Sequence, residues 1–314
     1  MNRIISLCYA LYFFLTAAVL YLVSLIILPL SLPFDERREF LHRLASIWGF
    51  HFIQLNPWWN CNISLCDGLD RKQNYVIVAN HQSMADIFVL SGIPVAFKWV
   101  SKKSLFKIPF FGWLMYVNEY IPIERGDRNS IKLLMNNCRK WLLRGASIAM
   151  FAEGTRSPDG EIKEFKNGPF RLAADCNVPV LPIVIEGTRD IIRKHGRAFN
   201  FNANISVRVL EPVHPKDFNN DASRMRLHVQ QKNDASPRED KSKKSSAHRH
   251  AKCKQLNSRK GPGSIKTKAA PETTSRLLKN PFSQGSTLSW QMTLSRFLFH
   301  STRPKGVGVL RIRL

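Results

Sequence analysis

The chain has 314 residues, 44% of them hydrophobic and 20 of them phenylalanine, with 47 Lys+Arg against 23 Asp+Glu for a formal charge of +24. That length supports a sizeable core without staples, and six scattered cysteines exclude a small disulfide-framed fold. Residues 214–314 hold 22 Lys+Arg and 6 Asp+Glu, two thirds of the excess charge, which excludes a uniformly basic nucleic-acid-binding domain and points to a basic domain with a basic tail.

Residues 4–32 carry no charge, a run longer than the roughly 20 apolar residues of a spanning helix. A cleaved signal peptide would have an apolar region of only about 7–15 residues, so a retained anchor over residues 1–34 is expected. Arg3 precedes the run, and Arg37, Arg38 and Arg43 follow it. The positive-inside bias then places the rest of the chain on the cytoplasmic face of the membrane. Cys61 and Cys66 do not make a zinc pattern, so no metal site is expected and the thiols are read as reduced. Two glycosylation tripeptides, at 62–64 and 204–206, carry no weight as isolated matches.

Over residues 39–59, Phe40, Leu41, Leu44, Ile47, Trp48, Phe52 and Leu55 recur at helical spacing. Trp48, Trp58 and Trp59 suit the headgroup level of a bilayer, and a helix packed on the core fits equally. Strands are expected at 75–79 (YVIVA), 97–101, 120–123, 147–152, 179–185 and 205–210. Helical segments are expected after Ser83 (a candidate cap), over 129–144 and over 168–177, with an aromatic-rich stretch at 107–117. Alternation of this kind predicts an α/β domain over 35–213, a mixed and largely parallel sheet flanked by helices. Residues 214–314 read as a basic, disordered tail, because 216–285 lack apolar periodicity and cannot offset their ordering entropy. Trp290, Leu294, Phe297 and Leu298 make one short amphipathic turn near the end. Such a tail could touch anionic lipid, and no specific nucleic acid is expected.

Two strand-end motifs carry chemistry. In NHQSMAD, His81 ends the first buried strand and Asp86 falls on the first turn of the next helix. The carboxylate can then hold one imidazole nitrogen while the other removes a proton from a hydroxyl. In FAEGTRS (151–157), Gly154 lets the backbone approach a ligand. Thr155 and Arg156 are donors suited to a phosphate. Lacking a nucleophilic Ser or Cys signature, the pair suggests direct attack by an acceptor hydroxyl.

With these motifs the chain resembles the glycerolipid acyltransferase family that includes 1-acyl-glycerol-3-phosphate acyltransferase. NHQSMAD is similar to that family's catalytic block, YIPIERGDR (120–128) to its second, FAEGTRS to its third and VPVLPIVI (178–185) to its fourth. VSKKSLFKIPFFGW resembles the segment between the first two. The resemblance covers about residues 10–213. Ala152, Glu124 and Ser104 stand where the family usually has proline, aspartate and glutamate.

The resemblance implies that His81, oriented by Asp86, activates the 2-hydroxyl of lysophosphatidic acid for attack on acyl-CoA or acyl-carrier protein, giving phosphatidic acid. It further implies that Lys102, Arg125, Thr155 and Arg156 hold the acceptor phosphate while Glu153 and Gly154 shape its pocket. No cofactor or metal is implied; the expected partners are membrane lipid and the two substrates. Acylation of glycerol 3-phosphate or another lysophospholipid is the nearest alternative. A membrane-tethered basic binding protein with an inactive acyltransferase domain is the other.

Overall fold

The computed structural model describes residues 2–157, 159–191, 200, 202–235 and 309–311. The uncharged run folds as helix α1 (Asn2–Ser31), with Pro29 in its last turn, where its missing N–H leaves the Leu25 carbonyl without a helical donor two residues before the helix ends. The Asp35 carboxylate accepts the N–H groups of Glu39 and Phe40 at 2.9 and 2.8 Å, two of the donors that a helix start leaves unpaired. Helix α2 (Glu39–Gln54) follows and buries Leu41, Phe52 and Ile53. Phe13 of α1 packs on Trp48 and Phe52, and the Trp48 indole donates to Thr16 Oγ1 at 3.0 Å. The face of α2 that carries Trp48 and Phe52 therefore packs on α1 and the core, while Phe40 and Ile47 on the same helix are exposed.

The helix expected to reach residue 59 stops at Gln54. Pro57 disfavours a helical conformation at Asn56, and Asn56 Oδ1 turns the chain by accepting the Trp58 N–H at 3.0 Å. Trp59, assigned to the headgroup level from sequence, instead opens strand β1 (Trp59–Ser64) and is buried, its indole donating to the Asn200 carbonyl at 2.9 Å.

The remaining elements alternate as expected: β2 (Val76–Ala79), α3 (Ala85–Leu90), β3 (Phe97–Lys102), a 3₁₀ turn (Lys103–Lys107), α4 (Phe111–Val117), β4 (Ile121–Ile123), α5 (Arg128–Leu143), β5 (Ser147–Phe151), α6 (Gly168–Cys176), β6 (Val180–Glu186), a 3₁₀ turn (Thr188–Asp190) and β7 (Ala203–Val209). The aromatic-rich stretch is α4, which packs against α1 through Leu114. One sheet runs in the order β4-β3-β5-β2-β6-β7-β1-β8, where β8 is Val309–Arg311. The five strands β4, β3, β5, β2 and β6 are mutually parallel; β7 runs antiparallel to β6 and pairs parallel with β1, and β8 runs antiparallel to β1. The architecture is the mixed, largely parallel α/β sheet expected from the sequence.

Alternate residues of a strand point to opposite faces, and helices cover both faces here. Tyr75, Ile77, Leu181, Ile183 and Ile185 pack with residues of α2 and α3. Val76, Val78, Ile148 and Val180 pack with α5, α6 and the last helix among the described residues, α7 (Ala222–Ala235). Burial on both faces explains why β2 and β6 read as continuous apolar runs.

Helix α7 corrects the expected boundary at residue 213. A 3₁₀ turn (Pro215–Phe218) leads into it, Asp221 Oδ1 accepts the Ser223 and Arg224 N–H groups, and Met225 and Val229 are fully buried. One turn apart, those two side chains share a face and dock it on the core. The folded unit thus continues to Ala235. The rest of the expected tail, including the turn at 290–298, lies outside the described residues except for β8.

Candidate active site

Ligand sites in parallel α/β sheets gather beyond the carboxyl ends of the strands, and every residue singled out from sequence leaves the sheet there. His81 follows β2, Lys102 ends β3, Arg125 follows β4, and Glu153 to Arg156 follow β5. Asn80 ties β2 to β6 at this edge: its amide donates to the Ile185 carbonyl at 2.9 Å and accepts the Ile185 N–H at 2.8 Å.

Asp86 is fully buried and hydrogen-bonded on both oxygens. Its Oδ2 accepts the Gln82 and Ser83 N–H groups at 2.7 and 2.9 Å and contacts His81 Nδ1 at 2.7 Å, and its Oδ1 accepts the Thr188 hydroxyl. Ser83, the candidate cap, accepts the Ala85 N–H at 3.3 Å. Held on both oxygens, the carboxylate accepts from Nδ1 and so fixes the Nδ1–H tautomer of His81. That tautomer leaves Nε2 as an acceptor, with no partner among the described residues. Phe151 stacks on the imidazole with ring centroids 3.9 Å apart, so the ring plane is held as well.

The turn after β5 wraps the histidine's main chain. Glu153 Oε1 accepts the His81 N–H at 2.8 Å, and Ser157 donates its N–H to the His81 carbonyl at 2.8 Å. Gly154 takes φ +72°, which suits glycine best. Glu153 Oε2 is buried without a hydrogen-bond partner. Burial pushes the Glu153 carboxyl up to about 7, against the opposing pull of the His81 and Lys163 N–H groups. A group raised from 4.5 holds a proton in the folded state that the unfolded chain releases, so its contribution to stability is lost as pH rises from about 4.5 to 7. Glu153→Gln is expected to flatten that part of the stability profile. Thermal melts at pH 5 and pH 8 check this: the gap between the two should be larger in the parent than in the variant.

Arg125 and Arg156 form the cationic side of the edge. Partial burial and then the neighbouring Arg156 guanidinium hold Arg125 below the usual arginine range, so the two guanidinium groups lie close enough to act on one region of the edge. The Asp127 carboxylate caps α5 through the Asn129 and Ser130 N–H groups, and Ser130 Oγ accepts the Glu124 N–H, which fixes the turn bearing Arg125. Lys102 is exposed and pairs in register with Ile123, two residues before Arg125. Thr155 is also exposed.

Phe151 links the imidazole to Trp99, 5.6 Å away between centroids. Trp99 lines an apolar cavity of about 50 Å³ with Trp48, Ile87, Phe88, Phe111 and Leu114. Three other groups, Cys61, Cys138 and His42, are poor rivals to the His81–Asp86 pair as nucleophile or base. Burial pushes the Cys61 and Cys138 thiols up to about 12, and pushes the core histidine His42 down to about 3, with Lys98 and Arg43 adding to the effect. Among the described residues no group of three or more His, Cys, Asp or Glu side chains is arranged to hold a metal ion.

A family model described as Acyltransferase matches residues 61–186. The 1-acyl-sn-glycerol-3-phosphate acyltransferase of Salmonella typhimurium is 30% identical over 189 residues, covering 57% of this chain and 74% of that protein. The chain belongs to the glycerolipid acyltransferase family. Another relative of this acyltransferase-family chain is the chloroplastic 1-acyl-sn-glycerol-3-phosphate acyltransferase LPAT1 of Arabidopsis thaliana, 35% identical over 202 residues, or 64% of this chain. The chain spans 56% of the length of that relative and 62% of the chloroplastic BAT2 protein of Brassica napus. The crystal structure of the 1-acyl-sn-glycerophosphate acyltransferase PlsC of Thermotoga maritima superposes with a TM-score of 0.63 at 27% identity, covering 74% of this chain and 95% of that one.

Sequence reasoning missed Thr188 and the ring stack on Phe151. The signal for Thr188 was present: Gly187-Thr188 follows a buried strand, as Gly154-Thr155 does. Gly187 has φ +83°, and a Cβ there would lie 1.8 Å from the Asn204 carbonyl oxygen, so only glycine makes the turn that aims Thr188 at Asp86.

Proposed function

We propose that the protein is a 1-acyl-sn-glycerol-3-phosphate acyltransferase that moves an acyl chain from acyl-CoA or acyl-carrier protein to the 2-hydroxyl of lysophosphatidic acid. The observation that carries this reading is the buried His81–Asp86 hydrogen bond of 2.7 Å on the same sheet edge as the Arg125 and Arg156 charges. In this mechanism His81 Nε2 takes the hydroxyl proton, and the alkoxide attacks the thioester carbonyl to form a tetrahedral oxyanion. Collapse breaks the carbon–sulfur bond, and the proton on Nε2 passes to the leaving thiolate. Arg125, Arg156, Thr155 and Lys102 bind the acceptor phosphate, for which arginine is well shaped, and Glu153 and Gly154 set the turn around it. The apolar side chains beside Trp99 suit contact with a few methylenes of one substrate. The thioester is already an activated acyl group, so the step needs no cofactor or metal.

The membrane forms part of the same proposal. The most apolar stretch of residues 5–31 has a mean hydropathy of 2.5, and 17% of it is buried, which suits an anchor whose lipid-facing side is α1 itself. Arg37, Arg38 and Arg43 beyond it favour a cytoplasmic position for the sheet.

The deciding experiment offers the purified full chain lysophosphatidic acid, glycerol 3-phosphate, a lysophospholipid with a larger headgroup and monoacylglycerol, each with acyl-CoA and with acyl-carrier protein. Lysophosphatidic acid is expected to be the fastest acceptor with at least one donor. Faster use of another acceptor overturns the substrate assignment, and no transfer to any of them favours a tethered binding protein.

A further inference from the structure

We propose that Lys166 is an additional ligand for the acceptor phosphate and that α7 positions it; the inference deepens the reading above and rests on it. The segment after the Glu-Gly-Thr-Arg turn returns to the site, where the Lys166 N–H donates to the Ala152 carbonyl at 2.9 Å. Its side chain then lies along Gly154: a Cβ built there would meet Lys166 Cε at 2.9 Å, Nζ at 3.2 Å and Cδ at 3.3 Å. The ammonium is therefore laid beside the backbone that leads directly to Thr155 and Arg156. Lys166 is exposed and has no acidic partner among the described residues. Glu164, the nearest acid along this segment, is instead engaged by Arg226 at 2.7 Å. An unneutralised cation on the Arg125 and Arg156 side of the sheet edge serves an anionic substrate group.

Helix α7 fixes this segment from behind. Gln230 Oε1 accepts the Phe165 N–H at 3.0 Å, Gln230 Nε2 donates to the Lys163 carbonyl at 3.4 Å, and Arg226 donates to the Phe165 carbonyl at 3.2 Å. Phe165 is buried between these bonds, in the same cluster as Met225 and Val229. The main chain on both sides of Phe165 is thereby clamped, one residue before the lysine. Gln230 touches no substrate in this scheme and acts only through the segment that bears Lys166.

The test measures initial rates of the full chain with lysophosphatidic acid and with monoacylglycerol at saturating acyl donor, alongside calorimetric binding of inorganic phosphate. Lys166→Ala is expected to raise KM for lysophosphatidic acid by about ten- to a hundred-fold, the worth of one charge-assisted hydrogen bond, with kcat and monoacylglycerol turnover little changed. Lys166→Arg should recover most of the loss. Gln230→Ala should raise the same KM by a smaller factor, and that factor should vanish in the Lys166→Ala background, since coupled residues are not additive. An unchanged KM in Lys166→Ala, or an equal loss on both acceptors, overturns the proposal while leaving the function standing. Were the parent to acylate only uncharged acceptors, the function would fall instead. Phosphate binding then judges Lys166: binding that the alanine variant weakens supports it, and binding that is absent or unaffected overturns it.

Discussion

Alanine at His81 is expected to reduce acyl transfer by about two to four orders of magnitude, the range removed with a general base, and asparagine at Asp86 to approach the same loss with the fold intact. The two variants fail for different reasons. Without the imidazole, nothing among the described residues at this edge takes the hydroxyl proton. Asparagine keeps one oxygen for the Gln82 and Ser83 N–H groups that Asp86 now satisfies, and the Thr188 hydroxyl, donor or acceptor as required, can turn to face the new amide. What is lost is the negative charge behind an imidazole that becomes positive as it takes the proton. The buried, stacked setting of His81 makes that charge count for more than it would in water. The measurement is kcat with lysophosphatidic acid beside near-ultraviolet circular dichroism of each variant. Transfer within tenfold of the parent in a correctly folded His81→Ala chain rules out His81 as the base, and the same result in Asp86→Asn rules out a need for the charge behind it.

The alternation of strands and helices was legible because this sheet is buried on both faces, which writes β2 and β6 as short unbroken apolar runs. The pairs His81–Asp86 and Gly154–Arg156 were legible because both follow such runs directly. What stayed hidden depends on contacts distant in sequence. Thr188 reaches Asp86 across 102 positions; the Gly187-Thr188 pair after a strand marks a turn there but does not name the carboxylate it meets. Strand β1 was not read from sequence: its first residue, Trp59, closed the apolar stretch taken as helical, and only Asn56-Pro57 marks the break. Strand β8 has three residues and takes its place from pairing with β1. Lys166 looked like one basic residue among many until the backbone of Gly154 was found beneath it.

Helix α7 was the largest omission, and it yields the second strong expectation: a chain ending at Ala235 should keep its fold and its activity, whereas one ending at Val213 should lose both. In a helix written ASRMRLHVQQKNDA, only Met225 and Val229 are large apolar side chains fully buried, too narrow a stripe to stand out from a polar background. Full burial of such a side chain is worth about 1.5–3 kcal/mol, so the two together stabilise the fold by roughly 3–6 kcal/mol. Total stabilities are on the order of 5–15 kcal/mol, so their removal consumes a large fraction of the margin. The cut at 213 would also uncover Phe165 and Phe170 and free the segment that Arg226 and Gln230 clamp beside Gly154. The cut at 235 forfeits only the three-residue pairing of β8 among the described contacts. Thermal melts and acyl transfer by the two truncated chains separate the cases. An active chain ending at 213 would restore the boundary first read from composition, and an inactive but folded chain ending at 235 would show that the basic region takes part in the reaction.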